Sequence, residues 1–374
     1  MAEKSYVVVF PSEFSKNKIP QIISNIKKIL KLKKQEFHSI QRDNDIILVD
    51  ANDPVFASSA INLLFGIKKI AIAKQVPNKF NEIVSSITRV GGNLLLKGEK
   101  FLVKVEGHSS GFLPKDVEIT STSSIIENKV KLGATPGTEE RYDKLLYTYL
   151  TKKHAYVCIF VDEGHGGVPY NSQNKKLICS VYDELSAVSC LETIKQGFEV
   201  KIVSCFRDRS ELMNIAKILN QIIPMTIQSR IDLEFFEVEV KPTFLNYLLY
   251  VDTIMRLLSI VAKKSRLSRI SLAITPMIFP AGFIESSMEY VFKKNQFCYL
   301  PLSGMDESIF LDAKKIGLEK RLGSISKLVK TKFSSPSDNA QKLAESALKS
   351  RRVVSITVGE NNIHEILDSL EIEH

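Results

Sequence analysis

The stretch His154–Cys205 reads HAYVCIFVDEGHGGVPYNSQNKKLICSVYDELSAVSCLETIKQGFEVKIVSC. An apolar strand, Ala155–Val161, runs into the glycine cluster Gly164-His165-Gly166-Gly167, which Pro169 closes. After the polar joint Asn171–Lys176 come a second apolar strand (Leu177–Cys179), a turn, an amphipathic helix ending at Gly197 and a third strand, Val200–Cys205. Strand, turn, helix and strand in this length predict a βαβ unit, which requires a parallel sheet. In such sheets ligands sit beyond the carboxyl end of the strands, where a helix N-terminus offers free N–H groups. The turn at that place, Ser180-Val181-Tyr182-Asp183-Glu184-Leu185-Ser186, has no glycine and carries two acids.

Around this centre the 374 residues have room for two or three domains. A hydrophobic fraction of 44% and a charged fraction of 25% are ordinary for a globular chain. The net charge of +9 and pI near 9.1 favour an anionic partner, nucleic acid first. None of the five cysteines (Cys158, Cys179, Cys190, Cys205, Cys298) forms a C-x-x-C pair. They read as reduced, buried thiols rather than zinc or redox ligands. The apolar run Phe244–Ala262 contains Asn246, Asp252 and Arg256, and reads as a buried helix rather than a membrane span. With no leader visible before the first strand, a cytoplasmic protein is expected.

Toward the N-terminus, Tyr6–Phe10, Asp45–Asp50 and Lys69–Ala73 read as strands and Ile19–Leu32 and Pro54–Leu64 as helices. That order suggests a small ferredoxin-like α+β unit over residues 1–75. A second unit, 76–170, has helices at Asn81–Thr88 and Val117–Glu127, a strand at Phe101–Glu106, and the loop Leu132–Glu139. From 171 to 374 the pattern is α/β. Helices are expected at Leu212–Ile222, Leu245–Lys264, Ser308–Ile316, Asn339–Lys349 and Ile363–Leu370, with strands at Ile270–Ile274, Phe297–Leu302 and Val353–Val358. The joint Ser334–Asp338 is expected to cap the helix that follows it.

Four stretches in fixed order resemble one family. They are Gly66-Ile67-Lys68-Lys69-Ile70 with Val76-Pro77, Glu163–Pro169, Leu177–Val200 with Gly197, and Leu300-Pro301-Leu302 with Asp306. The chain is similar to the tRNA thiouridine synthases (tRNA sulfurtransferases) along nearly its whole length. The resemblance implies a ferredoxin-like domain and a THUMP domain that hold the acceptor end of tRNA. After them it implies a Rossmann-like, pyrophosphatase-type domain that uses ATP to adenylate a uridine before sulfur replaces oxygen.

The family's nucleotide loop is serine-glycine-glycine-any-aspartate-serine, whose glycines let backbone N–H groups approach phosphate. Aligned through Gly197, this chain has Val181, Tyr182, Asp183, Glu184, Leu185 and Ser186. Only the last serine is kept, and an acid about 4 Å from a phosphate costs roughly 1–4 kcal/mol. Thr275-Pro276-Met277 stands for the family's threonine-glycine-glutamate, Pro280-Ala281 for a glycine-glutamine pair, and Leu300 for an arginine. The sulfur-carrying cysteine has no counterpart, since Lys327–Pro336 contains none and Cys298 precedes the Pro301 strand.

The expected function is tRNA binding by a relative of the sulfurtransferases with a catalytically degenerate nucleotide domain and no cofactor. Ser180, Val181, Tyr182, Asp183 and Ser186 mark the degenerate loop. Two other readings stay open: an active ATP-dependent tRNA sulfurtransferase, and a protein-interaction scaffold, which Glu106, Gly107 and Ser109 favour where the family is more basic. Lys28, Lys31, Lys104, His108, Lys115, Lys152 and Lys153 are the candidate RNA contacts, chosen from charge clustering within the two domains that face RNA in the family. Phe112 is a candidate for base stacking or core. A homodimer, and a sulfur-carrier or modification-enzyme partner, are further candidate partners. The scattered histidines have no metal-site spacing, and Ser186 reads most simply as an N-terminal cap or first-turn residue.

Overall fold

The computed structural model describes residues 4–109, 111–128, 133–304, 307–331, 338–359 and 361–371, which form two compact units, Met1–Pro169 and Tyr170–His374. The first unit opens with strand β1 (Ser5–Pro11), helix α1 (Ile19–Leu32), strands β2 (Phe37–Asp43) and β3 (Ile46–Ala51), helix α2 (Pro54–Ile61) and strand β4 (Ile67–Pro77). Helix α3 (Phe80–Leu94), strand β5 (Lys100–Gly107), helix α4 (Pro114–Asn128) and strands β6 (Thr135–Pro136), β7 (Lys144–Leu150) and β8 (His154–Gly166) follow.

The first half has the ferredoxin-like order β2-β3-β1-β4, all antiparallel. Sequence patterning missed β2 because FHSIQRD carries no alternation and is half exposed along its length. The second half continues the same sheet as β8-β7-β5-β6, and β4 pairs with β1 on one edge and β8 on the other. The boundary expected between residues 75 and 76 therefore falls inside a strand bonded on both sides.

Apolar spacing explains which faces are buried. Ile19, Ile22, Ile26, Ile29 and Leu30 form the inner stripe of α1, and Ile83, Ile87 and Val90 that of α3. Helices α3 and α4 cover one face of the second half through Val103, Val105, Val117, Ile125 and Val157. A second core, including Val8, Phe10, Ile46, Leu48, Ala71, Tyr147 and Tyr156, contains strand residues alone. Across this core Phe10 of β1 meets Tyr149 of β7 edge-on at 5.1 Å, although β4 and β8 lie between those strands in the sheet. The sheet thus curls on itself.

The second unit contains strand β9 (Lys176–Val181), helix α5 (Glu184–Lys195), strand β10 (Glu199–Phe206), helix α6 (Arg209–Ile222), strand β11 (Arg230–Glu237) and helix α7 (Tyr247–Lys264). It continues with β12 (Arg269–Ser271), α8 (Ala281–Lys293), β13 (Phe297–Tyr299), α9 (Glu307–Ile316), α10 (Glu319–Ile325), α11 (Asp338–Ala347), β14 (Arg352–Thr357) and α12 (Ile363–Glu371). The sheet order is β13-β12-β9-β10-β11-β14, parallel except for β14. β9 is the switch point: later strands leave it on one side through β10 and on the other through β12.

Three expectations are corrected. Helix α5 is buried on every face rather than amphipathic, from Leu185 through Lys195. The strands expected at Ile270–Ile274 and Phe297–Leu302 are shorter, ending at Ser271 and Tyr299. Residues 334–337 of the expected capping joint lie outside the described residues. Among the described residues no helix is long and apolar enough to cross a membrane.

Candidate functional site

At the switch point the segment between β9 and α5 is closed by its own side chains. Asp183 is the N-cap of α5, and its Oδ1 accepts the Ser186 N–H at 2.9 Å. The Ser186 Oγ in turn accepts the backbone N–H groups of Tyr182 (2.8 Å) and Asp183 (2.9 Å). This is a capping box, in which the Ser186 N–H and the two amides before the helix are taken up by a carboxylate and a hydroxyl of the same turn. All of Ser180, Val181, Tyr182, Asp183 and Ser186 are buried.

Neighbouring elements reinforce the closure. Tyr247, on α7, donates its hydroxyl to the other oxygen of Asp183 at 2.6 Å. Arg321, on α10, donates to Glu184 at 2.7 Å and stands 3.8 Å from Asp183, while Asn214 of α6 donates to Glu184 at 2.8 Å. Burial raises the Asp183 pKa, against the opposing pull of Arg321, Tyr247 and Ser186. Burial acts on Glu184 in the same direction but is outweighed by Arg321 and Asn214, so its pKa is lowered.

Behind the turn, the rings of Tyr182 and Tyr250 meet edge-on at 5.6 Å, and Tyr247 stacks on Phe279. Tyr250 also donates to the Cys205 carbonyl at the end of β10. Between β9, β12 and α7 there remains a cavity of about 10 Å³, lined by Ser180, Tyr182, Ile254, Met255 and Ile274 among others. Thr275, in the position of the family's threonine-glycine-glutamate, is buried and turns Ile278 and Phe279 inward through its carbonyl. Four of the cysteines are buried, and burial pushes the half-exposed Cys298 thiol up to about 11. At neutral pH it is a thiol rather than a nucleophilic thiolate.

The first unit gathers part of the basic set. Gly107, at φ +106°, ends β5 so close to β7 that a Cβ there would lie 2.1 Å from the Leu150 carbonyl oxygen. The chain then turns, and His108 donates its N–H to Leu150. Asn78 ties three segments together: its side-chain amide donates to the carbonyls of His108 (3.0 Å) and Thr151 (2.6 Å), and its backbone N–H to that of Lys153. His108, Lys152 and Lys153 therefore share one corner at the sheet's end, all exposed. Beneath it, Asp43 accepts from Thr151 at 2.8 Å and from the Tyr156 hydroxyl at 2.6 Å.

The other candidate contacts are placed differently. Lys28 and Lys31 lie exposed on α1 beside Lys27 and Lys34, none with a carboxylate partner among the described residues, and form a group of their own. Lys104 faces Glu106 at 3.6 Å and Glu139 at 3.8 Å, and Lys115 pairs with Glu118 at 2.8 Å, so both are locally neutralised. Phe112 packs on the α3–α4 core, edge-on to Phe80 at 5.7 Å, which favours its core role. His165 lies 5.8 Å from Phe65 and is part of the packing around the glycine cluster. Sequence reasoning missed Asn78, which holds the corner, and the exposed Lys79 beside it; the proline before Asn78 is the one local signal of a strand end.

No family model matches the chain, and no curated protein does. Among solved structures it is similar to a 4-thiouridine synthetase crystallised as an RNA complex with bound ATP, at 18 or fewer identical residues per hundred: the identity is 16%, over 95% of this chain and 100% of that one, with a TM-score of 0.64. It is also similar to PH1313 from Pyrococcus horikoshii, at 18% identity over 85% of this chain and 99% of that one, with a TM-score of 0.61. What the two likenesses establish is the architecture: the chain has a thiouridine synthetase-like α/β fold.

Proposed function

We propose that this chain is a tRNA-binding protein that engages the acceptor end of tRNA through its first, THUMP-containing unit and does not use ATP. The observation that carries the second clause is the turn Val181–Ser186. A triphosphate bound there would need the N–H groups of Tyr182 and Asp183, which already serve Ser186, and would meet the Asp183 carboxylate, while the nearby Arg321 is already engaged with Glu184. The cavity behind the turn, about 10 Å³, is itself smaller than a single nucleobase. The residues present do not fit ATP.

RNA binding is supported by the fold and by charge. The first 169 residues carry 24 Lys and Arg against 18 Asp and Glu, and two groups of lysines on them form no ion pair among the described residues. Phosphate contacts of this kind position an RNA without reading its sequence. The test is calorimetry with ATP on the full chain, alongside binding of whole tRNA and of tRNA trimmed of its unpaired acceptor end. We expect no ATP binding tighter than about millimolar and weaker binding of the trimmed RNA. Micromolar ATP binding points instead to the active sulfurtransferase; equal binding of both RNAs removes the acceptor-end reading.

A further inference from the structure

Helix α8 is fixed along one side and open along the other. Phe283 stacks on Phe279 at 5.4 Å, Val291 is fully buried, and Tyr290 donates to Gln341 of α11 while lying under the Arg256 guanidinium at 4.5 Å. On the opposite side Ala281, Ile284, Met288 and Phe292 recur at intervals of three and four residues, forming a continuous apolar stripe. The stripe is one wall of a groove of about 1060 Å³ whose other wall carries Val329, in the short 3₁₀ turn Ser326–Lys330. Phe292 is 52% and Val329 41% exposed, which for large apolar side chains facing one cleft is the mark of a docking surface rather than scattered exposure.

We propose that this groove receives an amphipathic α-helix of another protein, of about three turns, with basic residues along the flank that faces α8. The length follows from the stripe, since Ala281 to Phe292 spans about 16 Å at 1.5 Å per residue. The sign of the flank follows from the rim. Glu285, Glu289 and Lys293 line the groove on the α8 side; Lys293 pairs with Glu289 at 2.6 Å, which leaves Glu285, with no cation partner among the described residues, as the charge open to a basic flank. The turn that carries Val329 also carries the exposed Lys327 and Lys330 beside the groove, so an incoming helix with one basic and one neutral or acidic flank has a favoured orientation. Concavity argues against a second copy across a two-fold axis. An isologous contact would set this hollow against itself and enclose a void, whereas a convex helix fills it. The groove lies wholly in the second unit and is independent of the RNA reading.

The experiment uses the full chain and two labelled synthetic peptides of about 18 residues, long enough to sustain a helix. Both carry leucines at helical spacing; one has lysines along one flank and the other glutamates at those positions. By fluorescence polarisation the lysine peptide is expected to bind at least about ten-fold more tightly, a difference of 1.4 kcal/mol. Met288→Asp is expected to abolish that binding, and the exposed Phe292→Ser to weaken it should Met288→Asp fail to fold. The double change Glu285→Lys, Glu289→Lys is expected to reverse the preference between the peptides. Equal binding of the two peptides, or indifference to both Met288→Asp and Phe292→Ser, overturns the proposal. So does self-association in sedimentation that Phe292→Ser abolishes, which would make a second copy the occupant.

Discussion

Replacing Ser186 by alanine removes one hydroxyl and leaves the Tyr182 and Asp183 amides without their acceptor in a buried turn. The expected loss is about 1–3 kcal/mol, the cost of buried donors left unmade. Denaturant unfolding measures it, and an unchanged midpoint would show that the turn is not held this way. Tyr247→Phe should cost about 1–2 kcal/mol for the same reason, because Asp183 loses its phenolic donor. At this scale the sequence was legible in kind but not in extent. Ser186 was legible from position alone as an N-terminal cap or first-turn residue and stands in the first turn, while the N-cap itself is Asp183. That a tyrosine 64 residues later would reach the aspartate depends on tertiary approach that no local pattern encodes. The lysines show the same limit. Lys152 and Lys153 read as exposed and are so, whereas Lys104 owes its neutralisation in part to Glu139, brought near by the β5–β6 pairing.

Among elements, the contact between α5 and α9 contains the least usual chemistry. Lys195 is buried between Glu192 at 3.3 Å and Asp312 of α9 at 2.7 Å, with Ser308 completing its donors at 2.9 Å. Burial pushes Glu192 up to about 7, with Asp312 adding to the rise and Lys195 opposing it. A carboxyl whose pKa is raised on folding stabilises the folded state fully below its unfolded pKa, and that contribution fades as pH climbs to the folded one. Stability should therefore decline from about pH 5 to pH 8 through this group, by at most about 3 kcal/mol. Glu184 and Glu234, whose pKa values are lowered, act oppositely and only below the unfolded carboxylate range, outside this window. Glu192→Gln should flatten the melting-temperature profile between pH 5 and 8; a profile parallel to that of the parent chain would remove Glu192 as its cause. Element order was well legible, because apolar periodicity marks long helices such as α1 and α7 and buried strands such as β9 and β10. The missed β2 is half exposed and β11 carries acids within the strand, so their patterns lack the expected alternation, whereas nothing in its burial explains why β7 (KLLYTYL) was missed.

For the molecule as a whole, charge and fold carry the expectation of RNA binding, and salt is its natural probe. Log affinity for tRNA should fall with log salt at about 0.7 per single-strand phosphate engaged. Changing Lys152 and Lys153 together to alanine should lower that slope by about 1.4, if each holds one phosphate. An unaltered slope would move the contact to the lysines of α1. Fold class followed from the sequence because a strand-turn-helix-strand unit admits few arrangements. The continuity of the first sheet did not, because pairing of β4 with β8 joins segments about 90 residues apart.

That shared strand governs how the first 169 residues can be divided. Since β4 supplies hydrogen bonds to β1 on one edge and to β8 on the other, a chain cut at residue 75 would expose a row of unpaired backbone groups on each piece. Tyr149 and Tyr156 add cross-links from β7 and β8 to Asp45 and Asp43 at 2.7 and 2.6 Å, fastening the late strands to the first half by side chains as well. The two halves should consequently melt in one transition and be inherited, grafted or lost together, never as separable modules.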